Sequence, residues 1–412
     1  VQTIIPIAYP LSNSTIASLA SDVPVIAASS VSLIELSIVI PCLNEAETIE
    51  TVVRKAHATL SALQIAGEVI VADNGSSDGS QRLAQAAGAR VVSVPVRGYG
   101  AALIGGIRAA EGAYVIMGDA DDSYDFSAIA PFMERLRAGD DLVMGTRMRG
   151  TILPDAMPPL HRWLGNPVLT AIGNILFRTR ISDYHCGLRG FSTATARDLG
   201  LRTTGMEFAT ELVAKMALYG KRISEVPITY YPDGRSRRPH LRTWRDGWRH
   251  LKFMLLLSPT WVFIQPGIIL LAIGLSGLGW QLATGTPVSG SMGDIGAFSS
   301  RLAGQISFSI VTLIAIQMVF FGVLSRLYAA KMKLLPTSAF WHWLEDALSV
   351  DNGLIIGGVL AMGGLGAIGL ALGGGDLSGL LIGLLVLVGG IQQIFMSFVV
   401  SLIRIKDSFE SQ

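Results

Sequence analysis

Two aspartates one residue apart, Asp119 and Asp121 in the run MGDADDSYDF, are the strongest chemical signal in the chain. Tyr114–Ala120 (YVIMGDA) reads as a strand, and residues i and i+2 of an extended segment point the same way, so both carboxylates can face one site. Two close carboxylates repel unless a cation joins them. Hard oxygen donors select Mg²⁺ or Mn²⁺, ions that keep waters and bridge substrate phosphates. An EF-hand is excluded, because Tyr124 stands where its turn glycine belongs and Ala130 where its last glutamate belongs. A second acidic residue, Asp73, ends the run EVIVAD upstream and opens NGSSDGS. Its carboxylate can accept hydrogen bonds from a base or ribose. Equally, Asp73 and Asp78 can be turn and cap residues only, with Asn74–Gly75 making the turn and Ser76 or Ser77 capping the next helix.

Basic residues supply the complementary chemistry. The stretch Arg235–Lys252 (RSRRPHLRTWRDGWRHLK) carries Asp246 as its only acid. On a helix after Pro239, Leu241, Trp244, Trp248 and Leu251 fall on one stripe, with Arg242, Arg245, Arg249 and Lys252 beside it. Such a helix lies in a membrane interface and holds anionic headgroups, or else acts only as a topology signal. The first strand is followed by Pro41-Cys42-Leu43-Asn44-Glu45, with neither a G-x-G-x-x-G fingerprint nor a Walker Gly-Lys-Ser/Thr. A nicotinamide dehydrogenase and a P-loop ATPase are thereby excluded. His161, His185 and His240 are too scattered for a zinc site, and no C-x-x-C occurs. Glu207 and Glu211, four apart on the predicted helix Met206–Tyr219, could meet an acceptor or be solvated.

The elements that must position these groups alternate in type. Predicted strands Leu33–Pro41, Glu68–Asp73, Ala89–Pro95, Tyr114–Ala120 and Asp141–Arg147 are separated by predicted helices near Glu45–Leu60, Ser77–Ala87, Tyr99–Ala110 and Ser127–Arg137. That alternation means an α/β fold, a mostly parallel sheet with helices on both faces, binding ligands beyond the carboxyl ends of its strands.

The remainder has a different composition. The chain of 412 residues carries 15% charged and 50% hydrophobic residues, well below the roughly 25% charge of soluble domains. No charge occurs between Lys252 and Asp294, Arg301 and Arg326, Asp351 and Asp376, or Asp376 and Arg404. Each gap accommodates the about 20 apolar residues of a spanning helix, giving predicted spans at 258–283, 303–325, 353–374 and 378–402. The third is glycine-rich, which suits close packing in lipid. Arg245, Arg249 and Lys252 precede span one, Arg326, Lys331 and Lys333 follow span two, and Arg404 and Lys406 follow span four. Positive-inside counting puts both termini and the sheet domain in the cytoplasm. Ser338–Val350, with Trp341, Trp343 and Leu344, reads as a surface helix at headgroup depth. A net charge of +1 argues against a general nucleic-acid binder, and Cys42 and Cys186 alone build no disulfide framework.

The soluble part resembles a family 2 glycosyltransferase of the polyprenyl-phosphate type, as in dolichyl-phosphate mannose or glucose synthases. The matching residues are Ile38–Pro41, Asn44-Glu45, Val71–Gly79, Asp119-Ala120-Asp121, Gly145-Thr146-Arg147 and Ser182–Phe191. The resemblance implies an A-type, Rossmann-like glycosyltransferase sheet followed by four transmembrane helices. It implies a nucleotide pocket lined by Pro41, Glu45 and Asp73, with Leu43, Asn74 and Ser76 beside them. Asp119 and Asp121, flanking Ala120, would take Mg²⁺ or Mn²⁺ and the diphosphate. Asp121, Arg147, Arg162, Asp183 and Arg235 are the catalytic candidates, the arginines holding an acceptor phosphate. Ser123 stands where family members often carry Gln, which argues against reading the sugar as mannose. A processive polysaccharide synthase would need a Q-x-x-R-W motif, and no Gln precedes Arg162-Trp163. The alternative from another class is a non-catalytic membrane scaffold or transporter that senses nucleotide. The expected division is an extension at 1–32, a cytosolic catalytic domain at 33–232, an interfacial segment at 233–257 and a membrane domain at 258–412. The expected partners are a nucleotide diphosphate sugar, a polyprenyl phosphate and the cell membrane. No nucleic-acid partner is expected; a homo-oligomer is left open.

Overall fold

Period-two alternation governs the first strand, β1 (Leu36–Cys42), in which every residue is buried. Leu36, Ile38, Ile40 and Cys42 enter one core and Val39 the other, as a strand covered on both faces requires. The computed structural model describes residues 34–236, 243–284, 295–374 and 377–410. The expected extension at 1–32, and Leu241 and Arg242 of the basic stripe, lie outside the described residues.

Six further strands complete the sheet: β2 (Gly67–Asp73), β3 (Arg90–Ser93), β4 (Tyr114–Met117), β5 (Leu142–Ile152), β6 (Arg189–Ser192) and β7 (Ile223–Tyr230). Their order is β3-β2-β1-β4-β6-β5-β7. All neighbours run parallel except β6, which is antiparallel to both β4 and β5. The sheet is therefore mostly parallel, as the alternation predicts. The last two strands had no clear periodic signature; β6 is only four residues long.

The helices of this part are α1 (Ile49–Ala62), α2 (Ser80–Ala86), α3 (Tyr99–Ala109), α4 (Ala130–Arg137), α5 (Asn166–Phe177), α6 (Thr193–Asp198) and α7 (Phe208–Leu218). The first starts later than periodicity suggests, because Asn44 adopts φ 58° and Cys42–Thr48 turns before the helix begins. The strand order reverses at β1, whose successors β2 and β4 lie on opposite sides. Register between β1 and β4 ends at Val39 and Met117. Pro41, two residues on, has no N–H to continue that ladder, so the two strands part there. A crevice at such a switch point is where open α/β sheets bind ligands.

Next come α8 (Thr243–Leu256), α9 (Gln265–Thr284), α10 (Ile295–Lys331), α11 (Ala339–Ala347), α12 (Val350–Gly374) and α13 (Leu377–Glu410). Four stretches are long and apolar enough to cross a membrane: Thr260–Thr284, Leu302–Lys331, Val350–Gly374 and Leu377–Ile403. They coincide with the four charge-free gaps. Glycine makes the third pack closely, since a Cβ on Gly357 or Gly364 would lie about as near the α13 backbone as 2.6 or 2.5 Å. The expected surface helix forms as α11. Its Trp341 and Leu344 pack on the ends of the spans, and Trp343 stays exposed.

Glu211 is neither solvated nor turned toward an acceptor. Its carboxylate forms a fully buried ion pair with Lys215 at 2.8 Å, and accepts from Thr203 N at 2.8 Å and Thr203 Oγ1 at 2.6 Å. Lys215 Nζ donates to the carbonyls of Leu199 and Gly200. Helical spacing places Glu207 and Glu211 on one face but cannot show that the face around Glu211 is covered. The pair orders the loop 199–205, and Ala101 N donates to Thr204 O at 3.1 Å, seating α3 under that loop. Lys215→Met leaves a buried carboxylate uncompensated and is expected to cost about 3–5 kcal/mol. Chemical unfolding of the detergent-solubilised full chain measures it; a loss under about 1 kcal/mol would show that the pair is dispensable.

Candidate active site

The carboxyl ends of β1, β2 and β4 carry Glu45, Asp73, Asp119 and Asp121 at one edge of the sheet. Asp119 accepts from Tyr99 Oη at 2.9 Å through Oδ1. Its Oδ2 lies against Gly187, where a Cβ would come within 2.7 Å. Burial, and then the Asp121 carboxylate, push Asp119 up to about 7. Asp121 Oδ1 accepts from Ser123 Oγ at 2.6 Å and from Ser123 N at 3.1 Å. The Ser123 that departs from the family pattern therefore orients the second aspartate. Asp122 adopts φ 61°, which turns its side chain to the other side of the loop, where Lys55 holds both oxygens at 2.8 Å.

Arg235 occupies the centre of this charge. Its guanidinium donates to Glu45 Oε1 and Asp121 Oδ2, each at 3.0 Å, and also pairs with Asp233. The strap leading to it is tied down by Gly234 N to Asp121 O at 2.9 Å and Tyr231 N to Ser123 O at 3.0 Å. The sequence reading gave Arg235 to an acceptor phosphate. In this structure it sits on the carboxylates assigned to the nucleotide side, so donor and acceptor functions are not separated at this residue.

Arg147 and Asp183 form a closed unit beside that cluster. Arg147 Nε and Nη2 donate to the two Asp183 oxygens at 2.7 and 2.9 Å, and Arg147 N adds a third bond at 3.1 Å. The guanidinium also lies 5.2 Å from the Tyr230 ring centroid. This bidentate pairing is the strong form of the carboxylate contact, and its charge holds Asp183 below the usual carboxylate range against the effect of burial. Arg162 stands apart on the turn before α5, stacked 5.1 Å from the Trp163 ring centroid. Burial and then the charge of Arg147 lower the pKa of the neighbouring His161, so this turn runs alongside the Arg147 unit.

Several nucleotide-side candidates are engaged in holding the scaffold. Asp73 is fully buried and accepts from Gly75 N, Ser76 N and Gln81 Nε2. Asn74 bridges to Val94 O, Val96 O and Gly98 N. Ser76 Oγ accepts from Asn44 N, clamping the β1 turn that carries Leu43 and Glu45 to the β2 turn. Pro41 is buried and Leu43 half-buried on that turn, while Ala120 is buried between the aspartates.

Sequence reasoning missed Tyr99, Lys55, Tyr230 and Asp233, and gave no role to Arg189 although it lies in the matching run Ser182–Phe191. Only Tyr99, in the glycine-flanked helix start RGYGAA, and Asp233, in an Asp-Gly turn, carried a readable signal. Arg189 is fully buried and donates to the carbonyls of Cys186, Tyr184 and Ala209, shaping the loop that holds Asp183.

The donor chemistry fits a hard divalent cation. Asp119 and Asp121 offer carboxylate oxygens, and burial followed by the neighbouring Asp121 charge raises the pKa of Asp119. Among the described residues no group of three or more His, Cys, Asp or Glu side chains converges. Such an ion would therefore take its other ligands from water and phosphate, the usual habit of Mg²⁺.

Residues 37–200 match the family described as Glycosyl transferase family 2. The low-salt glycan biosynthesis hexosyltransferase Agl6 of Haloferax volcanii is 35% identical over 331 residues, spanning 80% of this chain and 77% of that protein. A dolichyl-phosphate hexose transferase of the same organism is 28% identical over 197 residues, 48% of this chain and 82% of its own. Among solved structures, glucosyl-3-phosphoglycerate synthase from Mycobacterium tuberculosis with phosphoglyceric acid aligns at TM-score 0.44 and 25% identity, over 54% of this chain and 79% of that one.

The upward shift of Asp119 has a definite sign. Between about pH 4 and about pH 7 the unfolded chain carries an ionised aspartate where the folded one is protonated, so stability contributed by this group falls as pH rises through that window. Asp119→Asn removes that slope. Unfolding midpoints of the cation-free protein from pH 4.5 to 8, compared with those of the variant, are expected to lose their wild-type advantage over this range. Parallel curves would place the shift elsewhere.

Proposed function

The chain belongs to glycosyl transferase family 2, and on that premise we propose that it moves a hexose from a nucleotide diphosphate sugar to a polyprenyl phosphate at the cytoplasmic face of the cell membrane. The observation that carries the reading is the Asp119–Asp121 pair, its second aspartate joined to Arg235, in a domain followed at once by four spans. Similarity to a hexosyltransferase and to a dolichyl-phosphate hexose transferase supports the same substrate classes. On this reading 33–232 is the catalytic domain, 233–257 the interfacial segment and 258–412 the membrane domain.

Transfer is a single inverting displacement. An acceptor phosphate oxygen bonds to the anomeric carbon as the bond from that carbon to the donor diphosphate breaks, and the electron pair departs with the nucleoside diphosphate. The nucleophile is already anionic, so no proton has to be removed by a strong base. The reaction needs neutralisation instead. Asp119 and Asp121 would hold a divalent cation, which would supply positive charge to the leaving diphosphate. Ser123 and Tyr99 orient the two carboxylates. Arg235 is the cation nearest the departing phosphates once ligands engage Glu45 and Asp121. Arg147, whose charge Asp183 balances, contributes an oriented guanidinium beside the cluster, and Arg162 receives the acceptor phosphate from the membrane side.

Three experiments test this. Screening radiolabelled nucleotide sugars against a polyprenyl phosphate is expected to give a lipid-linked sugar; binding without turnover would favour a nucleotide-sensing scaffold. Asp121→Asn is expected to lower turnover by roughly 10²–10³, the scale of one lost transition-state electrostatic contact, at an unchanged unfolding midpoint. Full activity with chelator present would remove the cation from the scheme. Arg235→Ala loses a charge-assisted bond of about 1.5–3 kcal/mol, a ten- to hundredfold change in turnover or acceptor KM. Because Arg235 also contacts Glu45 and Asp121, donor affinity is expected to shift with it.

Orientation is tested separately. A membrane-impermeant thiol reagent applied outside is expected to label a cysteine placed in the 284–300 connection and to spare one at 330–350. The reverse pattern would put the donor site on the wrong side.

A further inference from the structure

The second span, Leu302–Lys331 within α10, carries an amide where hydrocarbon is expected. Gln317 sits at its midpoint, about 22 Å of helix from either end at about 1.5 Å per residue. The hydrocarbon core is about 30 Å thick, so this residue lies near its centre. Its side chain is exposed on the outside of the helix bundle. The other glutamines of the spans, Gln265, Gln281, Gln305, Gln392 and Gln393, are all half-buried, and Gln305 bonds Ser378 at 2.7 Å. Among the described residues the Gln317 amide has no hydrogen-bond partner.

That position leaves few ways to satisfy the group. A glutamine is too short to snorkel across about 15 Å to the interface. Water is absent at that depth, and lipid tails offer neither donor nor acceptor. Leaving the amide unpaired in hydrocarbon carries its full desolvation cost, which another polar group at the same depth removes.

The residues around Gln317 form an ordered stripe. Ile310, Ile314, Phe321 and Tyr328 are exposed with it, at spacings of four, three, four and seven along the helix. A repeat of three and four is the seam of a left-handed helix pair, in which a single polar residue among apolar ones fixes the register. Thr312, Ala315 and Val323 are buried on the bundle side.

We infer that this stripe of α10 pairs with the same stripe of a second copy of the chain, Gln317 against Gln317. Copies inserted in one membrane share an orientation, so a twofold axis along the bilayer normal sets each residue opposite itself at equal depth. A carboxamide carries donors and an acceptor on one group. Each copy's Nε2 donates to the other's Oε1, and both amides are satisfied. A different membrane protein would have to bring its own polar group to this depth, whereas a second copy already does. Ala329, next after Tyr328, lies in a core with Phe208 of α7 and Met254 of α8, so pairing along α10 sets two sheet domains side by side. The inference needs only the four spans and is independent of donor and acceptor.

The test uses the full chain in phosphatidylcholine vesicles at a series of lipid-to-protein ratios. With copper phenanthroline as oxidant, Ile314→Cys is expected to form disulfide-linked dimers, and Val359→Cys, exposed on the third span, is not. Native Cys42 and Cys186 are buried and do not compete. Energy transfer between chains labelled at Arg54→Cys, exposed on α1, reads dissociation as lipid is added. Gln317→Leu is expected to shift its midpoint toward the monomer by roughly three- to twentyfold, the range of measured interhelical side-chain bonds. A chain monomeric at every ratio would overturn the inference, as would equal cross-linking from 314 and 359 or a midpoint that Gln317→Leu leaves unmoved. Cross-linking of 314 only in native membranes, to a protein of another mass, would assign the stripe to a different partner and overturn it equally. Unchanged helicity and unfolding midpoints of the variants exclude misfolding as the cause.

Discussion

Glu45, Asp121 and Asp233 each reach the Arg235 guanidinium beyond the point where β1 and β4 part, with Asp119 near Asp121, and holding that much largely buried negative charge is the constraint to which the neighbouring structure answers. Repulsion between carboxylates in low dielectric costs far more than between the same groups in water. The structure offsets it with one guanidinium, Arg235, that touches three of the four. Asp119, the one it does not touch, is pushed up to about 7, first by burial and then by the Asp121 carboxylate. A cleft so charged is poised to bind cations and the phosphates that cations carry.

The second arginine unit answers the same constraint differently. Arg147 is buried, yet its Asp183 partner matches it in charge and geometry, so the unit adds orientation and little net charge. A lone buried arginine would be costly, and a lone buried Asp183 equally so. Arg189 solves the problem with three backbone carbonyls instead. Both arginines shape the loop Asp183–Gly187, and Gly187 leaves the space that Asp119 Oδ2 occupies. Asp119, the loop Asp183–Gly187 and helices α5 and α8 are therefore one packed sequence of contacts.

The nucleotide side illustrates how recognition and scaffolding compete for the same residue types. Asp73, Asn74 and Ser76 are turn formers that could also read a base. Here their polar atoms knit the β1, β2 and β3 ends together, giving the crevice a rigid floor. A ligand meeting Asp73 shares a carboxylate already supplied with backbone donors, which presents its oxygens in a fixed direction.

Local physics made much of this legible from residues alone. The continuous apolar runs of β1, β2 and the first half of β5 follow from a sheet covered on both faces, and the four spans follow from the energetic exclusion of charge from lipid over about 20 residues. That Asp119 and Asp121 share a face follows from strand geometry. Antiparallel β6 escaped because four residues carry too little periodicity. The buried Glu211–Lys215 pair and the exposure of Gln317 escaped for a common reason: a helical pattern shows which residues share a side, and neighbouring elements decide what covers it. Likewise, Arg235 reaches Glu45 across 190 residues of chain and Lys55 reaches Asp122 across 67. The order of the strands and the path of the strap after β7 bring those partners together. Charge type and helix or strand period are properties of short segments, so the sequence alone determined them. Ion-pair partners and burial depend on which segments become neighbours in space, and the tertiary structure alone decided those.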